Sequence, residues 1–482
     1  MIKYFKNFFI IFFLLTIINN CKKEVYFYGD AILKFSSDTI HFDTVFTTIG
    51  STTKVLKVYN SYSEFLKIDK ISLAQGKNSF FRININGNPS LMEENVEIWP
   101  KDSIYIFIEV TIDPQNTNNP IIITDSIIFE LNNKIQTVKL IAYGQDIHLI
   151  NGEWIKSSRW IPDKPYVIYN SMGIDTNDVL TIESGVTLYF HKGSRVYILG
   201  KLIAKGTIDK PITFRGDRLD YLDVSPPLSY DKLPGQWEGL WFIPPSKNNL
   251  LEYCNIRNAI IGIQVGMLGN KEPVDVEIRN CIITNHSYAG IFSINGKIKA
   301  FNSVISDCGS YLLTSVTGAE HQFYHCTFAN YYSHYGYRRS SEPSVLISNQ
   351  VIYNDSLFSG DINSIIFKNS IIYGSYENEL KLFNNNKRKF NITFDYCLVK
   401  VNEDSIKSYK NNFLNTIFNK DPKFKSIERY KQNYMLDTLS PAKDVGDPLI
   451  IDSLSILLYD IKGISRKKDG KPDLGAYERD EN

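Results

Sequence analysis

The chain has 482 residues, 43% hydrophobic and 13% aromatic, with 53 Lys plus Arg against 52 Asp plus Glu. A near-neutral balance provides no surplus of cations to neutralise a phosphate backbone, which argues against a nucleic-acid partner. The length suggests two or three domains, and the six cysteines show no CxxC or His-rich spacing that would hold zinc.

Residues 1–21 form a targeting segment. Lys3 and Lys6 precede an apolar run from Phe8 to Ile18, too short to span a bilayer and laid out like a cleaved signal peptide. The run closes on Ile18-Asn19-Asn20-Cys21, which resembles a bacterial lipoprotein box, although Asn20 is larger than the usual residue before the Cys. The resemblance implies that Cys21 carries the lipid and becomes the mature N-terminus; the alternative is an ordinary signal peptide with an incidental Cys. Lys22-Lys23 lacks the Asp that commonly retains such lipoproteins in the inner membrane, so an outer-membrane lipid anchor is implied, with the cell surface one of two sides open to it. Without Lys3 and Lys6 the mature chain carries 51 cations against 52 anions.

Residues 27–148 alternate in short runs such as Thr53-Lys54-Val55-Leu56-Lys57-Val58 and Ile104-Tyr105-Ile106-Phe107-Ile108, separated by turns such as Gly87-Asn88-Pro89. Strands at this spacing predict an immunoglobulin-like β-sandwich. The order Phe42-Asp43-Thr44-Val45, Leu56-Lys57-Val58-Tyr59-Asn60, Phe80-Phe81-Arg82-Ile83, Pro100-Lys101-Asp102-Ser103 resembles the ASPM/SPD-2/Hydin immunoglobulin-like domains. That resemblance implies a structural or interaction module without catalysis.

Residues 151–430 are predicted to form a parallel β-helix. A phrase of strand, polar bend and second apolar strand recurs seven times, at Leu251–Ile256, Ile278–Ile283, Ala300–Ile305, Phe323–Phe328, Ile347–Ile352, Phe367–Ile372 and Phe394–Val399. Its fourth residues (Cys254, Cys281, Ser303, Cys326, Gln350, Ser370, Cys397) are spaced by 27, 22, 23, 24, 20 and 27, the period of a solenoid. One phrase cannot bury its inward row alone, whereas stacked turns at about 4.8 Å align that row into a continuous core. Five of the seven residues before this column are polar and four are Asn, a residue that tolerates left-handed bends and can bond to the next turn. Four of the five cysteines beyond Cys21 lie in the column as small buried hydrophobes; a Cys254–Cys281 disulfide is sterically conceivable. Upstream, Leu180–Phe190, Gly200–Thr207, Lys210–Phe214 and Gln236–Phe242 resemble the first turns of right-handed β-helix proteins of the pectin-lyase-like superfamily, particularly bacterial surface lipoproteins. The resemblance implies fold and leaves activity open, because the superfamily holds lyases, hydrolases, epimerases and adhesins.

Residues 431–482 are expected to cap the β-helix, since a solenoid must cover its last turn or polymerise. Ser440–Gly446 and Asp473–Glu478, with Asp421–Phe424 just before them, resemble the closing signature of secreted β-helices. Capping and turn roles for Asp444, Asp473 and Glu478 are favoured over catalysis.

Chemistry is sought on the outer faces. Alternation places Asp275, Glu277 and Arg279 outward together, with Lys299 one turn along beside Glu277. These residue types suit Ca²⁺ binding or acid–base work in a polysaccharide lyase or hydrolase, and equally suit cross-strand salt bridges. His286, His321, His325 and His334 are expected at surface or corner positions without a nucleophile partner. Two insertions break the rhythm: 217–235, and 331–339 with Tyr331, Tyr332, Tyr335, Tyr337, Arg338 and Arg339 as candidate binding residues. Arg215-Gly216-Asp217 is an incidental integrin-type tripeptide. The favoured reading is an all-β, lipid-anchored, non-catalytic scaffold without cofactor that binds another envelope protein or a glycan. The alternatives are a surface polysaccharide lyase or glycoside hydrolase acting on acidic or plant/algal polysaccharide (with Ca²⁺ if a lyase), and an adhesin.

Overall fold

The computed structural model describes residues 25–479 except 119, 271, 335 and 469. Cys21 and Tyr335 lie outside the described residues. The chain divides into two compact units between Asp146 and Ile147, and no helix among the described residues is long and apolar enough to cross a membrane. The N-terminal unit is a β-sandwich of two five-stranded sheets. One sheet orders Lys34–Phe35, Lys54–Tyr59, Ser103–Val110, Phe81–Ile85 and Asn88–Pro89; the other orders Thr39–Phe46, Lys134–Gln145, Ile121–Leu131, Leu66–Leu73 and Met92–Ile98. Period-2 patterning does the sorting. In Ser103–Val110, Ile104, Ile106, Ile108 and Val110 are buried, while Tyr105 and Phe107 face out. Leu56, Val58, Phe81 and Phe129 complete the core between the sheets.

The second unit is the expected parallel β-helix, one continuous system of 26 strands. Its turns have three faces. Asn249–Glu252 lies on the first, Cys254–Arg257 on the second and Ile261–Val265 on the third, before Val274–Arg279 returns to the first one rung along. The first face stacks ten strands, from Ser158–Trp160 to Phe413–Leu414. Inward residues fill columns: Phe323, Phe367, Phe394 and Phe413 stack with centroids 4.9, 4.9 and 4.5 Å apart. At Gly239, which opens a third-face strand, φ is +118° and an added Cβ would lie 1.7 Å from the Ile261 carbonyl oxygen, so only glycine fits.

The bend of the repeated phrase is the corner between first and second faces. Tyr253, Asn280, Asn302, His325, Asn369 and Tyr396 occupy it with φ between 46° and 51°. Their backbone N–H groups carry the ladder on, as Asn280 donates to the Phe301 carbonyl (3.0 Å) and Asn302 to the Tyr324 carbonyl (3.1 Å). The Asn side chains do not take the next turn's amide, which the sequence reading expected of them; Asn369 Nδ2 meets the His325 ring nitrogen of the preceding turn at 2.9 Å. Asn302 and Asn369 donate instead to backbone carbonyls of Ile456, Tyr459 and Asp447 in the C-terminal segment.

The column behind the bend is more polar in its work than a row of small hydrophobes. The five cysteines among the described residues are all buried and free, so Cys254 and Cys281 are not bridged. The Cys254 N–H donates to the Cys281 sulfur (3.4 Å), the Cys281 N–H to Ser303 Oγ (3.1 Å) and the Cys326 N–H to Ser370 Oγ (3.1 Å). Each side chain passes its own hydrogen to a carbonyl, such as Ser303 Oγ to Phe301 O (2.8 Å). Cys and Ser recur because a small group able to accept and donate keeps the corner's backbone satisfied. The fifth phrase departs from the expectation. Val345–Ser348 belongs to the third face, Gln350–Tyr353 pairs back on Ser356–Ser359 as an outward hairpin, and the column passes straight from Cys326 to Ser370.

The C-terminal cap divides its work. The 3₁₀ segment Glu403–Asn412 places Ile406 in the main core near the last turn. From Phe424 onward the chain runs along the outside of the β-helix. Leu436, Ala442 and Leu474 cover Ile371 and Leu398, Tyr434, Ile461 and Ala476 cover Val304 and Ala329, and Ile451 with Leu457 covers Phe301 and Tyr324.

Candidate functional site

The first-face cluster forms where alternation put it. Asp275, Glu277, Arg279, Lys297 and Lys299 line a groove of about 410 Å³ with Asn248, Asn249 and Leu250, and Glu277 lies opposite Lys299. Arg279, Glu277 and Lys297 pair with charges along the strand and the columns. Arg279 sits 2.6 Å from Glu277 and 4.0 Å from Glu252, and Lys297 sits 2.6 Å from Glu320. Asp275 Oδ1 accepts the Asn248 N–H at 2.5 Å, and Lys299 is exposed without an ion pair among the described residues. No group of three or more His, Cys, Asp or Glu among the described residues is arranged to hold a metal.

Among the described residues, the aromatic insertion does not present its side chains together. Tyr331 is half-buried and stacks on Tyr434 (6.2 Å, 21°), and Tyr332 is buried. Tyr337 and Arg338 are exposed. Arg339 corrects the expectation most clearly. Its guanidinium grips Glu379 with both terminal nitrogens, donates to Ser344 Oγ (2.8 Å), and lies 4.2 Å over the Tyr376 ring. The pair is almost wholly buried, so Arg339 is a structural anchor. His286, His321 and His325, expected at surface or corner positions, are all buried, and His325 holds a corner; burial pushes His286 down to about 3 and His321 to about 4. Asp217 of the Arg-Gly-Asp tripeptide is held by His191 Nδ1 at 2.7 Å.

A second cleft, of about 260 Å³, opens on the second face between two segments that are not part of the solenoid. The floor is a column of outward residues on successive turns, Arg257 opposite Thr284 and Thr284 opposite Ser306, with the two hydroxyls 2.8 Å apart. Asn285 (φ 61°) and Asp307 (φ 50°) follow at the next corner. The 217–235 insertion contributes Asp231 and Lys232 from the turn Tyr230–Lys232. The C-terminal segment contributes Tyr430, Gln432, Tyr434 and Tyr477.

The electrostatics are uneven. Asp231 Oδ1 lies 3.2 Å from a guanidinium nitrogen of both Arg215 and Arg257. Lys232 is exposed and has no ion pair among the described residues. Asp307 accepts the Tyr434 hydroxyl at 2.7 Å on each oxygen and the Tyr331 N–H at 3.2 Å. Burial pushes its carboxyl up to about 6 against those hydrogen bonds. The Asn285 Oδ1 and Arg257 Nε atoms are buried without a hydrogen-bond partner, the kind of group that calls for an explanation. Sequence reading flagged the 217–235 insertion and missed the rest. The Arg257-Thr284-Ser306 column, spaced by 27 and 22 residues like the phrase itself, was the available signal.

No protein-family model and no curated protein matches the chain. Among solved structures, a family 123 glycoside hydrolase from Clostridium perfringens, described for glycolipid glycan hydrolysis, aligns at 12% identity over 23% of this chain with TM-score 0.17. The chain spans about a quarter (25%) of that structure. The catalytic domain of GH87 alpha-1,3-glucanase in complex with nigerose aligns in two structures at 11% and 10% identity, over 71% of this chain and 82% of the other, with TM-score 0.16. Alignments this loose leave the site to be read from its own residues.

Proposed function

We propose that the protein is a lipid-anchored outer-membrane lipoprotein whose β-helix binds a glycan, without transforming it, in the second-face cleft. The observation that carries this reading is the cleft's composition. A ladder of paired hydroxyls (Thr284, Ser306), a buried acceptor without a partner (Asn285) and a wall holding three tyrosines meet in one concavity. Sugars present apolar C–H faces that stack on aromatic rings and hydroxyl rims that exchange hydrogen bonds. Cys21 supplies the anchor, and the N-terminal sandwich, which resembles the ASPM/SPD-2/Hydin modules, acts as a platform. Binding is tested by retardation of the full chain in gels carrying a panel of polysaccharides. Tyr430→Ala and Thr284→Val should each weaken retardation roughly tenfold, about one lost stacking or hydrogen-bonding contact. Unchanged retardation in both variants removes the cleft from the reading, and co-purification of a stoichiometric envelope protein in place of any glycan turns it towards a protein scaffold. For the anchor, Cys21→Ser should release the protein from the membrane fraction.

One observation favours a second reading, glycoside hydrolysis. Asp307, pushed up to about 6, lines the same cleft as Asp231, and glycoside cleavage uses one carboxyl of raised pKa with a second carboxylate. Release of reducing ends from a retarded polysaccharide, abolished in Asp307→Asn, would establish it.

A further inference from the structure

We infer that the outward hairpin Gln350–Ser359, together with the basic loop one turn along, rests on a bilayer that carries anionic headgroups. The inference needs neither the glycan reading nor an anchor at Cys21. The hairpin leaves the solenoid after the third-face strand Val345–Ser348, and the chain rejoins the first face at Ile362–Lys368. Ile352 stands opposite Leu357 across the ribbon, so the two share one side of it. They are 70% and 61% exposed, and Tyr353 next to them is 58% exposed. Val351 and Phe358, on the other side, are half-buried. Asp355, at the turn, is the ribbon's one charged residue, so no charge guards the apolar side against association. A two-stranded ribbon is marginal by itself in water, and this one turns its more apolar side to solvent.

Cations are tied next to it. Residues 384–389 fill the same corner one turn along, between Leu380–Phe383 on the third face and Phe390–Asp395 on the first. The buried Asn349, at the base of the ribbon, donates to Asn384 Oδ1 (2.8 Å) and accepts the Asn385 N–H (2.9 Å). Asp361, at the other end, accepts the Lys389 N–H (3.1 Å). The loop so held presents Lys387, Arg388 and Lys389 in succession, all exposed and without an ion pair among the described residues, with the exposed Phe383 just ahead of them. Across 349–361 and 384–389, these three cations stand against two carboxylates, Asp355 and Asp361. Apolar side chains beside exposed cations are what an anionic interface takes, with methylenes below the headgroups, tyrosine at their level and cations on the phosphates. A partner protein would need a groove fitted to the ribbon and carboxylates fitted to the loop. A bilayer supplies both chemistries without a fitted shape. One ribbon gives reversible binding, enough to orient an anchored chain and too weak to replace its anchor.

The test uses the whole chain from Lys22 onward, made without lipid, and flotation with vesicles of phosphatidylcholine alone or mixed with phosphatidylglycerol. The anionic vesicles should bind at least about fivefold more tightly, the worth of one cation at an anionic surface, and salt should shrink that advantage. Lys387→Gln with Arg388→Gln and Lys389→Gln should abolish it. Ile352→Ser with Leu357→Ser should weaken binding to anionic vesicles at least about tenfold, as two apolar side chains no longer leave water. Both sets lie at exposed positions, and unchanged thermal unfolding checks that they fold. A polarity-sensitive dye on Ser356→Cys, selective because the five described cysteines are buried, should shift to the blue on anionic vesicles. Flotation with neither vesicle, equal flotation with both, or flotation untouched by both sets of substitutions overturns the inference. Flotation without a dye shift overturns it too, since the protein would then adsorb by charge elsewhere. A crosslink from position 356 to an acidic envelope protein, in the absence of vesicle binding, replaces the bilayer with a protein partner.

Discussion

Single residues carry buried charges whose costs can be read out. Asp307 is 4% exposed and burial raises its carboxyl from 3.8 to about 6. A carboxyl raised on folding contributes stability that is fully present below about pH 4 and is lost as pH rises through about 6. The shift corresponds to about 3 kcal/mol. Denaturant unfolding of the wild type should therefore gain up to that amount over Asp307→Asn between pH 7.5 and 4.5, and parallel pH curves would remove Asp307 as the cause. Arg339 makes the opposite case, a cation fully paired with Glu379 inside the protein. Arg339→Met leaves the Glu379 carboxylate buried without a cation, held only by Ser344 and the Tyr376 N–H, so a loss of about 3–5 kcal/mol is expected. Arg339→Met with Glu379→Leu should restore most of it; if the double variant is no better, the loss belongs to packing and not to the stranded charge. Residue polarity misled the sequence reading here, because nothing near position 339 points to a partner 40 residues away.

Elements were legible where their pattern is local. Ile104, Ile106 and Ile108 alternate within one strand, and the phrase around Cys281 carries its own bend, so strands and corners could be placed from sequence. The sulfur-and-hydroxyl relay was not legible, because Cys281 reads as a hydrophobe until Ser303 is seen 3.1 Å from its amide. Ser303→Ala strips that acceptor and leaves the Cys281 N–H buried and unbonded. A loss of about 1–3 kcal/mol is expected, whereas Ser303→Cys, which reproduces its neighbours in the column, should cost less. Equal losses in the two would mean that volume governs the column and the relay does not. Gln350 fits the phrase by pattern and yet heads an outward hairpin, since a period in the low twenties cannot tell a turn of the solenoid from an excursion of the same length. The cleft was hidden for a related reason: its walls come from 231–232, 284–307 and 430–477, segments that meet only after the turns have stacked.

At the scale of the whole second unit, the segment from Phe424 decides what the β-helix exposes. Inward columns repeat and are self-sufficient once stacked, but the second face carries apolar residues outward as well: Val304, Ala329, Ile371 and Leu398 are all buried under the C-terminal segment. A sequence-level cap was expected over the last turn, and alternation alone could not say that the following residues would lie along a side. Three polar ties fix that course. Asn369 exchanges hydrogen bonds with the Asp447 backbone (2.8 and 3.0 Å), Lys368 meets the Asp447 carboxylate at 2.7 Å, and the buried Arg466 joins Glu478 (2.8 Å) to the Asn302 side chain (3.1 Å). Deleting the chain from Phe424 removes the cover from four outward apolar residues and one wall of the cleft together. The truncated protein is expected to self-associate, to bind a hydrophobic dye and to lose glycan retardation. Arg466→Met breaks one tie and strands Glu478 while the segment's own apolar contacts remain, so it should lower stability by a few kcal/mol and make the segment the first site of limited proteolysis. Cleavage that begins elsewhere in that variant would show that the apolar contacts alone hold the segment down.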